Sequence, residues 1–141
     1  MKVLFTVDFI YSVNISKAQI DLIIELQKKG AKISVLGRFS NEVKSILTNN
    51  QINCIELFPK KSFDFTFVKK TKDLLAKEQF DIVQFLNGKT SRNVLLAIDK
   101  NLPIKKVSYM GSVSIHWYDP SALFTYLSPK LDKIICNSNY V

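Results

Sequence analysis

Six short apolar segments alternate along the chain with stretches of helical periodicity, and this alternation restricts the fold more than any other feature of the sequence. Each apolar segment has the length of a strand, and each intervening stretch repeats apolar residues every three to four positions. Strands that alternate with helices on short connections form a parallel sheet with helices on both faces. We expect strands at residues 2–9, 32–37, 53–58, 81–86, 105–109 and 133–138.

The order of these elements predicts an α/β protein with a Rossmann-like three-layer sandwich and a six-stranded parallel sheet. Residues 3–7 and 82–86 are the segments best suited to burial on both faces, so the first and fourth strands should be adjacent and central. Helices are expected between the strands. Ser16 should start the first helix, since Gln19 follows at the spacing of a capping box. Residues 10–15 would then form a loop.

Length and composition indicate a globular domain. The chain has 141 residues, 47% of them hydrophobic and 23% charged, which corresponds to one domain with a sizeable core. No apolar run approaches the roughly 18–20 residues that span a bilayer, and the N-terminus lacks a signal-peptide cleavage site, so a cytoplasmic protein is expected. Cys54 and Cys136 fall in predicted buried strands without metal-ligand neighbours, which predicts reduced thiols and no metal site.

The net charge of +8 is the main compositional departure. It is compatible with nucleic acid, anionic lipid or phosphorylated substrates. Nucleic acid is not expected as a partner, because no known RNA- or DNA-binding module is recognisable. Residues 60–77 form a basic and aromatic segment with two interpretations. It binds an anionic membrane surface, or it is a helix with apolar residues in the core and lysines in solvent. Its members are Lys60, Lys61, Phe63, Phe65, Phe67, Lys69, Lys70, Lys72 and Lys77.

Polar residues collect where the predicted strands end. In open α/β sheets, ligands bind beyond the carboxyl ends of the strands, at the point where the strand order reverses. Amide, hydroxyl and charged groups beside aromatic rings suit a sugar, which has hydroxyls all round and an apolar face. The candidate substrate-binding residues are Asp8, Asn14, Ser16, Asn87, Lys89, Thr90 and Asp119, with Arg92 near them.

Two short motifs within this set allow alternative readings. Residues 87–91 (NGKTS) lack the first glycine of a nucleotide-binding P-loop, although Lys89 and Thr90 could still hold one phosphate at a helix N-terminus. Residues 116–120 (HWYDP) contain the only histidine. Asp119 could pair with His116, or it could only cap the helix that Pro120 begins. His116 is the candidate catalytic base, since a neutral imidazole can accept a hydroxyl proton.

The order of elements, together with residues 28–37 (KKGAKISVLG) and 117–141 (WYDPSALFTYLSPKLDKIICNSNYV), resembles the N-terminal domain of GT-B glycosyltransferases of the family 4 retaining group. That resemblance implies that residues 1–141 are an acceptor-side Rossmann-like domain. The donor-binding C-terminal domain would be missing, through truncation or placement on another chain. The complete enzyme would transfer a sugar from a nucleotide-sugar, its donor substrate, to a glycan or lipid-linked acceptor, and no further cofactor is expected.

The resemblance also has consequences for partners and for catalysis. It implies a role in the synthesis of cell-envelope polysaccharides, a chain inactive alone, and contact with a C-terminal glycosyltransferase domain. Apolar groups left exposed where that domain would sit, around Trp117, Tyr118 and Tyr140, predict self-association of the isolated chain. The family commonly places a histidine after the fourth or fifth strand, and residues 85–88 and 109–111 contain none, which leaves His116 to fill that role. The alternative is a non-catalytic Rossmann-like module that binds a small phosphorylated ligand or a protein partner.

Overall fold

The computed structural model describes residues 1–86, 88–111 and 120–136. Six strands and five helices alternate within these ranges. The strands are β1 Lys2–Thr6, β2 Lys32–Gly37, β3 Asn53–Glu56, β4 Ile82–Phe85, β5 Lys105–Met110 and β6 Lys133–Cys136. The helices are α1 Val13–Lys28, α2 Asn41–Asn49, α3 Phe65–Glu78, α4 Gly88–Ala97 and α5 Pro120–Leu123. In the described part of the chain, no helix combines the length and the apolar character that a membrane crossing requires.

The six strands form one sheet in the order β3-β2-β1-β4-β5-β6, and every neighbouring pair is parallel. Val3 of β1 lies opposite Ile33 of β2 on one side and Ile82 of β4 on the other. This confirms the α/β prediction and the central, adjacent placement of the first and fourth strands. The strand order reverses between β1 and β4, so the ligand-binding position of this fold is at their carboxyl ends.

Alternation along β1 divides the interior into two cores, one on each face of the sheet. Val3 and Phe5 contribute to the core under α1 and α2. Leu4 contributes to the core under α3 and α4. Fully burying an aliphatic or aromatic side chain of this size stabilises a fold by roughly 1.5–3 kcal/mol. The two apolar faces of β1 therefore fix helices on both sides, which gives the three layers.

The first helix begins earlier than the sequence pattern predicts. α1 starts at Val13 with Ser12 as its N-cap residue, so the expected capping box at Ser16 is wrong. Ser16 is buried, as are Ile20 and Ile23, one and two turns further on. Because these three positions share one face of the helix, Ser16 belongs to the side that packs on the sheet.

The outer strands are less buried than predicted. All four residues of β6 are exposed, including Cys136, and Cys54 in β3 is half-buried. The expectation that both cysteines lie in buried strands is therefore wrong. β3 and β6 are the two edges of the sheet and pair with a neighbour on one side only. An edge strand keeps strand geometry without the two-sided cover that its apolar sequence suggests.

Candidate functional site

The site is built at the carboxyl ends of β1 and β4, where the strand order reverses. The backbone N–H of Leu86, just after β4, donates to the carbonyl oxygen of Thr6 at the end of β1 (3.1 Å). The hydroxyl of Thr6 lies 3.3 Å from that of Ser91 in α4. These contacts hold the first turns of α4 against the end of β1, so residues that follow the two strands share one edge of the sheet.

Asp8, two residues beyond β1, is engaged by Arg38, which directly follows β2. The Arg38 backbone N–H donates to one carboxylate oxygen (3.1 Å), and Nη2 of the same residue donates to the other (2.9 Å). The Asp8 side chain is only 15% exposed. This hydrogen bond raises the pKa of Arg38 above its ordinary value, so the guanidinium is charged throughout the physiological range.

Gly37 makes this pairing sterically possible. A Cβ at position 37 would lie 1.8 Å from the carbonyl oxygen of Val7 and 3.2 Å from Oδ1 of Asp8. Only glycine allows a backbone approach this close. The chain beyond β1 therefore lies directly against the end of β2, which brings Asp8 and Arg38 together.

Lys89 and Thr90 lie in the first turn of α4. Thr90 is fully buried, and its Oγ1 has no hydrogen-bond partner among the described residues. Lys89 is exposed, and its ammonium group donates to the carbonyl oxygen of Lys60 (3.2 Å). Thus one predicted residue contributes an unused hydroxyl and the other ties α4 to the loop that follows β3.

The remaining predicted site residues have mixed outcomes. Asn14 is exposed in the first turn of α1, not in a loop, and Ser16 is buried in the same helix. Asn87, His116 and Asp119 lie outside the described residues, so the expected contact between His116 and Asn87 and the His116–Asp119 pair stay predictions. The binding role of Asp8, Asn14, Ser16, Lys89 and Thr90 also stays a prediction, although all five follow the carboxyl ends of β1 and β4.

Buried polar atoms without partners concentrate at this edge. In the described ranges four buried side-chain atoms lack a hydrogen-bond partner, and three of them belong to Arg38, Thr90 and Arg92. Buried polar groups are usually satisfied, and these atoms are enclosed, so an internal water molecule or ion is the group that can supply the bond. Sequence reasoning missed Arg38. The available signal was its position, since it directly follows a buried strand that ends in glycine.

A second concave surface lies beside this edge, between the end of β3 and the start of α3. We call it the Lys–Phe groove. Its volume is about 540 Å³. It is lined by Glu56, Leu57, Phe58, Lys60, Lys61, Phe63, Asp64, Phe65, Thr66, Phe67 and Lys70. These include more than half of the basic and aromatic segment singled out in the sequence.

The structure separates the aromatic residues of that segment. Phe67 is buried in the core with Leu75, as expected for a helix that packs on the sheet. Phe63 and Phe65 are exposed, and so is Phe58. The guanidinium of Arg38 lies over the ring of Phe58, and that of Arg92 lies over the ring of Phe63, each 5.3 Å from the centroid. The arginines at the sheet edge therefore also position two rings of the groove.

The loop that forms one wall of the groove is anchored to α4 by Asn93. This fully buried residue accepts a hydrogen bond from the backbone N–H of Asp64 (2.8 Å) and donates to the carbonyl oxygens of Ser62 (2.9 Å) and Lys89 (3.0 Å). Asp64 in turn accepts from the backbone N–H groups of Phe67 and Lys60, which lowers the pKa of its carboxyl group. The loop is thus held by a connected set of hydrogen bonds.

Comparison with solved structures places this architecture in a known fold. No protein-family model matches the sequence, and no curated protein is significantly similar to it. A structure from Listeria monocytogenes assigned as a UDP-N-acetylglucosamine 2-epimerase superposes on 99% of the chain with a TM-score of 0.67 and 14% identity. The chain spans only 39% of that protein.

A second solved protein is glucose dehydrogenase from Haloferax mediterranei. It covers 96% of the chain at a TM-score of 0.50 and 14% identity, and its complex with NADP, zinc and gluconolactone covers 98% at 0.51. The chain spans 36% of that enzyme in both structures. Sequence identities this low establish the fold and nothing finer. The described chain is a Rossmann-like α/β domain.

Proposed function

We propose that this chain is the acceptor-side domain of a GT-B glycosyltransferase related to the family 4 group. The complete enzyme moves a sugar from a nucleotide-sugar donor to a glycan or lipid-linked acceptor. In this proposal the chain binds the acceptor at the carboxyl ends of β1 and β4, and a separate donor-binding domain holds the nucleotide-sugar. The isolated chain is then inactive, because transfer needs both substrates held in register.

The observation that supports the proposal best is the match of nearly the whole chain to about two fifths of a protein assigned to nucleotide-sugar chemistry. A sugar bound to a nucleoside diphosphate is also the donor that the sequence resemblance implies. The two indications share the order of strands and helices, and residues 28–37 and 117–141 carry the rest of the sequence resemblance. The identity of 14% leaves the reaction itself to experiment.

The chemistry of the edge supports an acceptor site. Thr90 is assigned to this site on the sequence argument, since its hydroxyl is fully enclosed in the described structure. Lys89 adds a positive charge that attracts a phosphate on a lipid-linked acceptor, and Asp8, held by Arg38, adds a carboxylate at the same edge. His116 is proposed as the group that accepts the proton of the attacking hydroxyl, on the sequence argument alone.

The alternative is a non-catalytic module that binds a small phosphorylated ligand. The exposed ammonium group of Lys89 in the first turn of α4, next to Thr90 in the chain, favours it. Such a module would bind free phosphate esters by these residues and would need no sugar. The two proposals therefore predict different ligands for the same edge.

Nuclear magnetic resonance of the isotope-labelled chain separates them. We expect lipid-linked or oligosaccharide acceptors to shift backbone amides of residues 6–9 and 88–92, while nucleotide-sugars leave the spectrum unchanged. Lys89→Ala should weaken acceptor binding severalfold. Lys32→Ala removes an equal charge from the amino end of β2, away from this site, and should not weaken acceptor binding. Shifts caused by simple phosphate esters, with none from saccharides, would support the alternative and contradict the glycosyltransferase proposal.

A further inference from the structure

We propose that the Lys–Phe groove docks the protein on an anionic membrane surface. In this arrangement Lys60, Lys61 and Lys70 face lipid phosphates, and Phe58, Phe63 and Phe65 enter the boundary between headgroups and acyl chains. The inference does not depend on glycosyl transfer, because it rests on the groove and not on the carboxyl edge of β1 and β4.

Exposed aromatic surface is the first observation. Phe65 is 83% exposed, and Phe58 and Phe63 are 41% and 43% exposed. Exposing several phenylalanine rings together is costly in water unless a partner covers them. A phenylalanine side chain has no hydrogen-bonding group, so it needs no polar partner when it enters the boundary of a lipid bilayer.

The apolar surface continues beyond the groove. The ring of Phe63 meets that of Phe124 edge to face, with centroids 5.6 Å apart. Phe124 follows α5 and is itself exposed, as are Leu123 and Leu127 beside it. The rings of the groove therefore adjoin a second exposed apolar segment. A surface of this extent is typical of an interaction site.

The charge of the groove is the second observation. Among the described residues none forms an ion pair with Lys60, Lys61 or Lys70. Glu56 on the rim is neutralised by Lys44 at 2.6 Å, and Asp64 is engaged by backbone N–H groups. The groove consequently keeps an excess of positive charge beside apolar rings, although the Asp64 carboxylate offsets part of the charge of Lys60. This combination is complementary to a surface of anionic headgroups over hydrocarbon.

Preorganisation is the third observation. The loop is fixed to α4 through Asn93, and the Phe58 and Phe63 rings lie under Arg38 and Arg92. A surface that is already ordered loses little conformational entropy on binding. The lysines and rings can therefore contact a membrane together without prior folding of the loop.

Vesicle flotation tests the proposal with the full chain. We expect binding to vesicles of equal parts phosphatidylcholine and phosphatidylglycerol, little binding to phosphatidylcholine alone, and weakening by added salt. Replacing Lys60, Lys61 and Lys70 by alanine should lower the vesicle affinity about 100-fold, since each lysine near an anionic surface contributes about fivefold. Replacing Lys32, Lys105 and Lys133 is the matched control. They are exposed at the amino ends of three strands, and their loss should change affinity much less.

Insertion of the rings is tested separately. Phe65→Ala should lower affinity about tenfold, while Leu22→Ala, which removes an exposed apolar side chain from α1, should have little effect. In a Phe65→Trp, Trp117→Phe chain the single indole should shift to shorter wavelength on anionic vesicles and be quenched by brominated acyl chains. Circular dichroism of each variant confirms that it is folded.

Four outcomes would overturn the proposal. They are equal binding to neutral and anionic vesicles, equal weakening by the two triple substitutions, an indole at position 65 that lipid does not quench, and failure to bind vesicles at all. A chain that binds single-stranded RNA but not vesicles would also overturn the proposal. If replacing Lys60, Lys61 and Lys70 abolished that binding and the control substitution did not, nucleic acid would be the occupant of the groove.

Discussion

Gly37 is the residue on which the geometry of the carboxyl edge depends most directly. The chain beyond β1 crosses its α-carbon so closely that no side chain fits, and the Asp8–Arg38 pair lies immediately beside this contact. Such a requirement cannot be read from the sequence KISVLG. It depends on the path of residues 7–9, which are distant in the chain from residue 37.

Gly37→Ala should therefore lower the free energy of unfolding by about 3 kcal/mol or more, because the methyl group would overlap the Val7 carbonyl. Gly30→Ala is the matched control. Gly30 also has a positive φ, of 92°, but a Cβ at position 30 would meet no heavy atom within 4 Å, so only backbone strain of roughly 1–2 kcal/mol is expected. Urea denaturation measures both. Equal losses from the two substitutions would contradict the close approach as the cause.

Some residues at this edge can be predicted from the local sequence, and others cannot. The positions of Asp8, Lys89 and Thr90 at this edge were predictable because these residues come soon after buried strands. Arg38 was missed because its partner lies 30 residues earlier, and only the parallel pairing of β1 with β2 brings the two together. Long-range pairs of this kind leave no local signal.

At the scale of elements, the link between α4 and the loop after β3 organises the surface. Asn93 in α4 is buried, and it satisfies backbone groups of Ser62, Asp64 and Lys89 at once. One side chain thereby connects the start of α4, which belongs to the sheet edge, with a wall of the Lys–Phe groove. The sequence identified the loop as basic and aromatic but did not indicate that it was anchored.

Asn93→Ala should release this loop. Three half-buried hydrogen bonds to a fully buried side chain would be lost, which should cost roughly 2–3 kcal/mol of stability, and amides of residues 60–64 should exchange with solvent faster. Asn49→Ala is the control, since Asn49 is exposed on α2 and should change stability by less than about 0.5 kcal/mol. Hydrogen exchange followed by mass spectrometry measures the loop directly. Unchanged exchange at residues 60–64 would show that the anchor is not Asn93.

Element boundaries illustrate what periodicity can and cannot predict. β2 was predicted as residues 32–37 and observed as Lys32–Gly37, because the turn at Gly30 and the closely packed Gly37 bracket a mostly apolar segment. α1 began four residues early, since Ser16 resembled a cap in sequence but lies on the buried face. A hydroxyl residue can cap a helix or lie within it, and tertiary packing decides which.

At the scale of the whole molecule, the alternation of strands and helices was sufficient to predict the sheet, its parallel pairing and its central strands. It did not predict the exposure of β6, because an apolar strand at the edge and one at the centre have the same local sequence pattern. The reaction is further still from the sequence, since in our proposal it requires a second, donor-binding domain.

Glycosyl transfer by the chain with and without a donor-binding domain tests the central proposal most directly. The chain should be measured alone and fused to the donor-binding domain of a family 4 glycosyltransferase, with nucleotide-sugars and a panel of lipid-linked and oligosaccharide acceptors. Transfer of labelled sugar is followed, and binding of the nucleotide-sugar by the fusion confirms that its donor domain is folded. We predict transfer by the fusion and none by the isolated chain. Transfer by the isolated chain, or a folded, donor-binding fusion that transfers to no acceptor, would contradict the assignment of this chain as an acceptor-side domain.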